Sequence, residues 1–233
     1  MNRNVGIIIW KQMKDTLKNK AIFIQFVMFP VLCIIMTKSI HIDGMPADFF
    51  VNMFAAMYIG MAPLTSIAAI IAEEKEKNTL RVLMMAKVTP WQYLLGTGCY
   101  VFFFCMLGAV VFSCLLGKGT AFSDRMMFLF VMAVGIIVSL LIGAAIGVGS
   151  RNQMAATSVT VPVMIVFSFL PMISVFNEAI AKVAKYTYSE QVRIMISAVG
   201  SGQAESGNLL VIAGNMIVFG GLFWMLYRKE GLV

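Results

Sequence analysis

Glu73 and Glu74 form the pair of side chains in this sequence that comes nearest to catalytic chemistry. Adjacent carboxylates can bind a metal ion and help to activate a water molecule, but such a site needs further ligands, which are usually histidines. The sequence contains one histidine, His41, and a long apolar segment separates it from the acid pair. We therefore expect His41 to be a solvated loop residue, and we predict neither a catalytic residue nor a metal site.

Other chemistry that could drive a reaction or a coupled ion is also missing from the sequence. No phosphate-binding loop of the form GxxxxGK[ST] occurs, so we predict that the chain does not hydrolyse ATP by the P-loop route. The long apolar segments have no Asp, Glu, His or Arg at their centres, and ion- or proton-coupled transporters usually need such groups. A proton antiporter is therefore disfavoured, whereas sodium coupling through backbone carbonyls stays open.

The composition is that of a membrane protein. Hydrophobic residues make up 60% of the chain, charged residues make up 12%, and the mean hydropathy is +0.88, whereas a soluble domain carries about 25% charged residues. The apolar runs are long enough for transmembrane helices and do not alternate as barrel strands would. We predict one all-α transmembrane domain over residues 1–233, with six spans at 21–40, 49–72, 93–117, 126–149, 155–176 and 208–227.

The positive charge is distributed unevenly over the predicted loops. The formal net charge is +7, and two thirds of the 18 Lys and Arg residues fall on the side of the membrane that holds both termini. Because cytoplasmic loops carry the excess of Lys and Arg, we expect both termini to lie in the cytoplasm. The basic excess then sets the orientation and attracts anionic lipid, so we predict no nucleic-acid partner.

Residues 73–92 form a long polar interruption between the second and third spans. Glu73 and Lys77 have the i, i+4 spacing that stabilises a solvated helix, and Pro90 is expected to end that helix. Between Lys77 and Pro90, the residues Leu80, Leu83 and Met84 form an apolar stripe along the predicted helix. A short cytoplasmic helix with an apolar stripe can dock into a groove on a partner; the alternative is an ordinary charged loop.

Two further segments outside the spans are predicted to be helical. Residues 1–20 are basic and amphipathic, with Trp10 at headgroup depth, as is typical of an interfacial helix on the cytoplasmic leaflet; a plain basic flank is the alternative. Residues 177–207 are too apolar for a disordered loop, and Thr187 with Glu190 predicts a capping box at the start of a helix. This outer segment either dips into the mouth of the bundle or forms a simple external cap.

The spans contain one set of residues suited to packing and one suited to a transport pathway. Small residues four positions apart in the fourth span predict close helix packing, namely Gly135, Ser139, Gly143 and Gly147. Flexible or uncharged side chains that suit a wall for varied apolar cargo occur in the second and fifth spans, namely Met53, Met57, Met61, Thr157 and Thr160. Ordinary packing and interhelical hydrogen bonds are the alternative for this second set.

The order of these parts resembles the permease subunits of type-2 ABC transporters over essentially the full chain. In that family, the loop after the second span tends to read E-x-x-x-G-T-x-x-x-L followed by a Pro. Glu74, Thr79, Leu83 and Pro90 match the pattern, and Asn78 stands where Gly is usual. Because Asn tolerates the same left-handed backbone conformation, we expect the turn to be retained.

The resemblance implies a division of labour between subunits. A separate cytoplasmic ATPase, which holds ATP and Mg, would bind the helix in residues 73–92 and move it, while this chain would bind no cofactor itself. The residues implied in this coupling are Glu73, Glu74, Thr79, Leu80, Leu83 and Pro90. Two permease subunits, of like or unlike chains, would pair through spans one and five around a shared route in a bacterial cytoplasmic membrane.

The chain is most similar to small two-component members that export amphipathic peptides, including phenol-soluble-modulin toxin exporters and bacteriocin immunity pumps. This similarity implies export of amphipathic or hydrophobic peptides, such as toxins and antimicrobial peptides. Drugs and sodium are carried by related permeases and remain alternative cargoes. A second class of function is a membrane scaffold or sensor that transports nothing and uses the charged helix to recruit a cytoplasmic partner.

Overall fold

The computed structural model describes residues 2–18, 20–40, 46, 48–117, 119–199 and 206–232, and His41 lies outside them. Within this part of the chain the fold is all-helical and contains no strand. The ten helices are α1 (Asn2–Lys18), α2 (Lys20–Ser39), α3 (Phe49–Glu76), α4 (Thr79–Met85), α5 (Pro90–Leu115), α6 (Phe122–Gly149), α7 (Gln153–Ser174), α8 (Glu178–Ala184), α9 (Tyr188–Ser197) and α10 (Ser206–Glu230).

Six of these helices are long and apolar enough to cross a membrane, namely α2, α3, α5, α6, α7 and α10. This confirms the predicted all-α fold with six spans. The helices extend beyond the predicted apolar runs at their polar ends: α3 continues to Glu76, and α6 begins at Phe122. Polar residues prolong a helix at its end because water or neighbouring groups there can satisfy the last backbone groups.

The most deeply buried span is α3, which packs between α6 and α7. Each of these contacts depends on a glycine where two backbones come close together. A Cβ added to Gly143 of α6 would lie 2.3 Å from the carbonyl oxygen of Leu64, and one added to Gly60 of α3 would lie 2.6 Å from the backbone of Phe167. Small residues promote helix association in membranes by allowing this approach. Gly60 is absent from the predicted packing set.

The other members of the predicted small-residue row in α6 also face neighbouring helices. Ser139 Oγ donates a hydrogen bond to the carbonyl of Ile59 at 2.6 Å, and a Cβ added to Gly147 would lie 2.9 Å from a side chain of α3. Gly135 fits against α3 and α9, because its added Cβ would lie 3.0 Å from both Ile59 and Val192. The row therefore faces the interior of the bundle rather than its surface.

One of these neighbours, α9, is part of the packed bundle. It contacts α3, α6, α7 and α10, and the hydroxyl of its fully buried Tyr188 lies 2.7 Å from Ser139 Oγ. Ser139 lies more than halfway along α6, so α9 reaches well into the end of the bundle. Of the two predicted alternatives, this geometry favours the segment that dips into the mouth. Residues 200–205 of that segment lie outside the described residues.

The predicted capping box at the start of α9 is wrong. Thr187 precedes the helix, but its hydroxyl donates to the carbonyl of Ala184 at 2.7 Å and caps no N–H group of α9. Glu190 is buried and accepts hydrogen bonds from Ser174 and Arg193 instead. The sequence pattern fails because α8 ends three residues before Thr187, so its last carbonyl competes for the same hydroxyl.

The N-terminal helix α1 packs along the start of α5. Ile8 and Gln12 are buried on its inner side, and a Cβ added to Gly96 of α5 would lie 2.8 Å from Ile8. Ile7 and Trp10 are exposed on the outer side. This two-sided character agrees with an amphipathic helix, and its location at a membrane interface stays a prediction.

Candidate functional site

The fold contains two candidate sites. The first lies at the end of the bundle that is formed by α1, α4 and the turn between α6 and α7. We call this region the α4 end. The chain leaves α3 through Lys77 and Asn78, and Asn78 adopts the left-handed conformation with φ of 54°. Thr79 then begins α4 and donates its hydroxyl to the carbonyl of Glu74 at 3.0 Å. The Asn78 turn thus directs the short helix away from the axis of α3.

The segment 73–92 consists of three pieces, which corrects the expectation that Pro90 ends a single helix. Lys87 follows α4 in a left-handed conformation, with φ of 64°. Pro90 is instead the first residue of α5. A proline fits this position because an N–H group there would have no acceptor within the helix. Thr89 precedes it as a cap: Thr89 Oγ1 accepts from Gln92 N at 3.3 Å, and Thr89 N donates to Gln92 Oε1 at 3.0 Å.

Glu74 is buried and connects α1 to the junction between α3 and α4. Its Oε1 accepts a hydrogen bond from Gln12 Nε2 at 2.7 Å and forms an ion pair with Lys11 Nζ. The neighbouring Glu73 pairs with Lys77 at 2.5 Å on the surface, as their spacing predicts, and this carboxylate raises the pKa of Lys77. Of the two adjacent acids, one therefore joins helices and the other lies in a solvated pair.

The exposed side of α4 differs from the predicted docking stripe. Leu80 is only 1% exposed, and Leu83 packs against the core with most of its surface covered. The apolar side chains that face outward are Val82, 59% exposed, and Met85, 72% exposed. The predicted stripe therefore attaches α4 to the bundle, and a smaller apolar patch beside the exposed Arg81 remains accessible.

Further contacts connect the α4 end to the turn between α6 and α7. Gln153 N, at the start of α7, donates to Glu76 Oε2 at 2.8 Å. Lys75 Nζ donates to the carbonyl of Val148 near the end of α6 at 2.7 Å. Together with the Glu74 contacts, these bonds couple the last turn of α3 to α1, α6 and α7. A displacement of α4 would act on all of these helices.

The second site is a cavity of about 160 Å³ between α2, α3 and α7. The residues that line it include Gln25, Met61, Thr65, Thr157, Thr160 and Met164. Three of the predicted pathway residues, Met61, Thr157 and Thr160, thus lie around one cavity although they come from different spans. Their role in transport stays a prediction.

The remaining two predicted pathway residues lie elsewhere. Met53 and Met57 are buried in the hydrophobic core and do not line this cavity. Gln25 and Thr65 line it but are absent from the predicted pathway set. Their signal in the sequence is a polar side chain inside an apolar run, which interhelical hydrogen bonding explains equally well until the helices are placed.

Comparison with known protein families gives a match over most of the chain. A family model described as "ABC-2 family transporter protein" covers residues 9–227 of the chain. No curated protein matches the chain significantly. The matched residues include the second half of α1, all of α2 to α9 and most of α10, and with them both sites.

Proposed function

The chain belongs to the ABC-2 family of transporter proteins, and we propose that it is the permease subunit of an exporter whose energy comes from a separate ATPase. ATP and Mg would be bound by that cytoplasmic partner and not by this chain. The α4 end would face the cytoplasm, together with both chain termini, because the excess of Lys and Arg lies on that side. In that orientation α1 lies along the cytoplasmic leaflet, with Trp10 toward the lipid headgroups.

The observation that carries this proposal is the construction of α4. A seven-residue helix exposes Val82 and Met85 on one side and is fixed by the buried Leu80 on the other. An exposed apolar patch on a short helix can serve as an anchor in a groove of a partner. The buried side would then transmit the partner's movement to the bundle.

The route of transmission follows from the contacts of the last turn of α3. Glu74 connects this turn to α1, Lys75 connects it to the end of α6, and Glu76 connects it to the start of α7. When the ATPase subunits close around ATP and pull α4, these bonds would move several helix ends together. The spans then need no titratable relay of their own.

The proposed pathway lies between two permease subunits. The cavity between α2, α3 and α7 is bordered by two of the least buried spans, α2 and α7. Pairing of two chains through these spans would bring their two cavities toward each other. At the opposite end, α9 with the buried Tyr188 would close the outer part of this route until the helices move.

Amphipathic or hydrophobic peptides are the cargo that this site suits best. The residues lining the cavity are apolar, hydroxyl or amide side chains, so they favour an uncharged apolar surface with some hydrogen-bonding capacity. Drugs fit the same description, and sodium would need backbone oxygen ligands. A scaffold or sensor without transport remains the second function, since an exposed α4 can also recruit a cytoplasmic protein that is no ATPase.

A pull-down of the tagged chain in gentle detergent, followed by mass spectrometry, tests the proposal. We expect a P-loop ATPase to co-purify with the wild type and with Phe122→Asp, a control that places the same charge on an exposed residue at the other end of the bundle. Val82→Asp and Met85→Asp should lose it. If the wild type captures a cytoplasmic protein without a P-loop, the scaffold function replaces the exporter.

A further inference from the structure

We propose that Gln25 is a specificity-determining residue of the cavity between α2, α3 and α7, where its carboxamide donates a hydrogen bond to a neutral carbonyl oxygen of the cargo. This inference rests on the proposed export function and deepens it. It assigns to one side chain the recognition of an amide group, such as a peptide bond, within an otherwise apolar molecule.

The first step is the way in which α3 holds the carboxamide of Gln25. Ser66 Oγ donates to Gln25 Oε1 at 3.0 Å, and Thr65 Oγ1, which also bonds the carbonyl of Met61, lies 2.9 Å from the same oxygen. Both hydroxyl residues are buried. The Ser66 hydroxyl therefore orients the oxygen of the amide, and Thr65 contributes only in so far as its single proton is shared between Met61 O and Gln25 Oε1.

The second step concerns the side-chain nitrogen of Gln25, Nε2, which these hydrogen bonds do not involve. Among the described residues, the side-chain hydrogen bonds of Gln25 both involve its Oε1, and Gln25 lines the cavity. A carboxamide nitrogen has two N–H donors. In the low-dielectric interior of a membrane protein, a donor without an acceptor is costly. The cavity thus contains a donor that these bonds leave unused.

The third step is a second unmet group in the same cavity. Thr160 is 5% exposed, and its Oγ1 is buried without a hydrogen-bond partner in the described part of the chain. A hydroxyl can accept from an N–H group as well as donate. Gln25 Nε2 can thus donate to a carbonyl oxygen, and Thr160 Oγ1 can accept from an N–H group, so the two residues provide hydrogen-bonding capacity of both kinds at this cavity.

The rest of the cavity determines what else the ligand can be. None of the described residues that line it is charged, so a charged group would be buried there without compensation. Gln25 is five residues into α2 and Thr160 is seven residues into α7, which places both about 8–10 Å from the helix ends nearest α4 at 1.5 Å per residue. In the proposed orientation, the cavity meets cargo that enters from the cytoplasmic side.

The test uses the complex of this chain with its ATPase in nanodiscs and two tritiated probes. One probe is N-acetyl-tetraleucine amide, which is neutral and has several amide groups; the other is dodecylbenzene, which has none. Binding is measured by scintillation proximity for the wild type, Gln25→Met, Ser66→Ala and Thr160→Val. ATP hydrolysis without probe and retention of the ATPase are recorded for each variant.

We expect Gln25→Met to weaken binding of the tetraleucine amide about tenfold, as the loss of one desolvated hydrogen bond would. Ser66→Ala and Thr160→Val should weaken it about threefold, because they loosen or remove one partner. Dodecylbenzene binding and retention of the ATPase should stay unchanged in all three variants, because neither needs a hydrogen bond to an amide group. Thr160→Val decides the question if Gln25→Met does not assemble.

Equal loss of both probes, or an unchanged affinity for the tetraleucine amide in Gln25→Met and Thr160→Val, would overturn the inference and leave Gln25 as a helix-packing residue. A wild-type complex that retains its ATPase but binds only dodecylbenzene would also overturn it, while the export function stands. Absence of any ATPase from the wild-type complex is a different result, because it contradicts the proposed function itself.

Discussion

Asn78 shows how a single backbone conformation sets the direction of α4. Its φ of 54° lies in the left-handed region, where Gly is favoured, Asn is tolerated and β-branched residues are strained. We expect Asn78→Gly to retain the ATPase and the wild-type stability. Asn78→Val should cost about 1–2 kcal/mol of local stability and reduce ATPase retention, as measured by co-purification and thermal unfolding. Equal behaviour of the two variants would contradict this reason for the turn.

A substitution of Glu74 should lower the stability of the chain and the cargo-stimulated ATP hydrolysis without preventing the ATPase from binding. Removal of its charge in Glu74→Gln leaves Lys11 without its buried partner, so we expect a loss of about 1–3 kcal/mol of stability and loss of cargo-stimulated ATP hydrolysis. The ATPase should still co-purify, because Val82 and Met85 are unchanged. The matched control, Glu73→Gln, breaks a pair on the surface and should cost less than about 0.5 kcal/mol.

Local spacing predicts some of these residue contacts but not others. The pair of Glu73 and Lys77 follows from their i, i+4 positions on one helix. The burial of Leu80 cannot be predicted from local spacing, because a helix of seven residues can turn either side toward the bundle. The backbone turn at Asn78 decides which side faces inward. The contact between Glu74 and Lys11 joins residues 63 positions apart, beyond the reach of any local pattern.

At the scale of the elements, the packing of α3 against α6 depends on the space that glycine leaves. A Cβ added to Gly143 would lie 2.3 Å from a backbone oxygen of α3, which cannot move aside as a side chain can. We expect Gly143→Ala to destabilise the bundle by about 1–3 kcal/mol, measured as a lower unfolding temperature in detergent. Gly214→Ala, with no atom within 4 Å of the added Cβ, is the control and should unfold like the wild type.

The insertion of α9 predicts a measurable role for one buried hydroxyl. Tyr188→Phe removes the hydrogen bond to Ser139 while keeping the ring, and we expect it to cost about 1 kcal/mol and to open the outer end of the route more easily. Leakage of a small dye from proteoliposomes measures this opening. Tyr186→Phe alters an exposed ring two residues earlier and should leave leakage unchanged; a similar rise in both variants would argue against a closing role for α9.

The length of the apolar runs predicts the six spans well. Local sequence signals predict the ends of the helices less well. The six spans follow from apolar runs that only a membrane helix can use. Pro90 starts a helix and does not end one, because a proline fits either boundary and only the neighbouring Thr89 cap distinguishes them. The Thr187 cap fails because a second helix end competes for its hydroxyl.

At the scale of the whole molecule, the two sites lie at different depths along two shared helices, α3 and α7. Glu74 and Thr65 belong to α3, and the cavity borders on α2 and α7 as well. The last turn of α3, which ends at Glu76, is bonded to the start of α7. A movement of α4 would therefore change the spacing of the helices that enclose the cavity. In the proposed function, this arrangement would connect energy input at α4 to cargo binding in the cavity.

The overall topology could be predicted from the sequence, but the cavity could not. Gln25, Met61 and Thr160 come from three spans, and their proximity depends on the close approach of α3 and α7 at Gly60. Hydropathy contains no information about which faces of the helices meet. Met53 and Met57 share the helical spacing of Met61 but lie in the core, so spacing alone does not distinguish a residue at the cavity from a residue in the core.

The most direct measurement of the central claim is photo-crosslinking in living cells with p-benzoylphenylalanine placed at position 85 or, as a control, at position 80. Met85 is 72% exposed and Leu80 is 1% exposed on the same short helix. We predict that a probe at position 85 forms an adduct with a peptide of a P-loop ATPase and that a probe at position 80 reacts within the chain itself. An adduct at position 85 with a protein that has no P-loop, or no adduct there at all, would contradict an ATPase-driven permease.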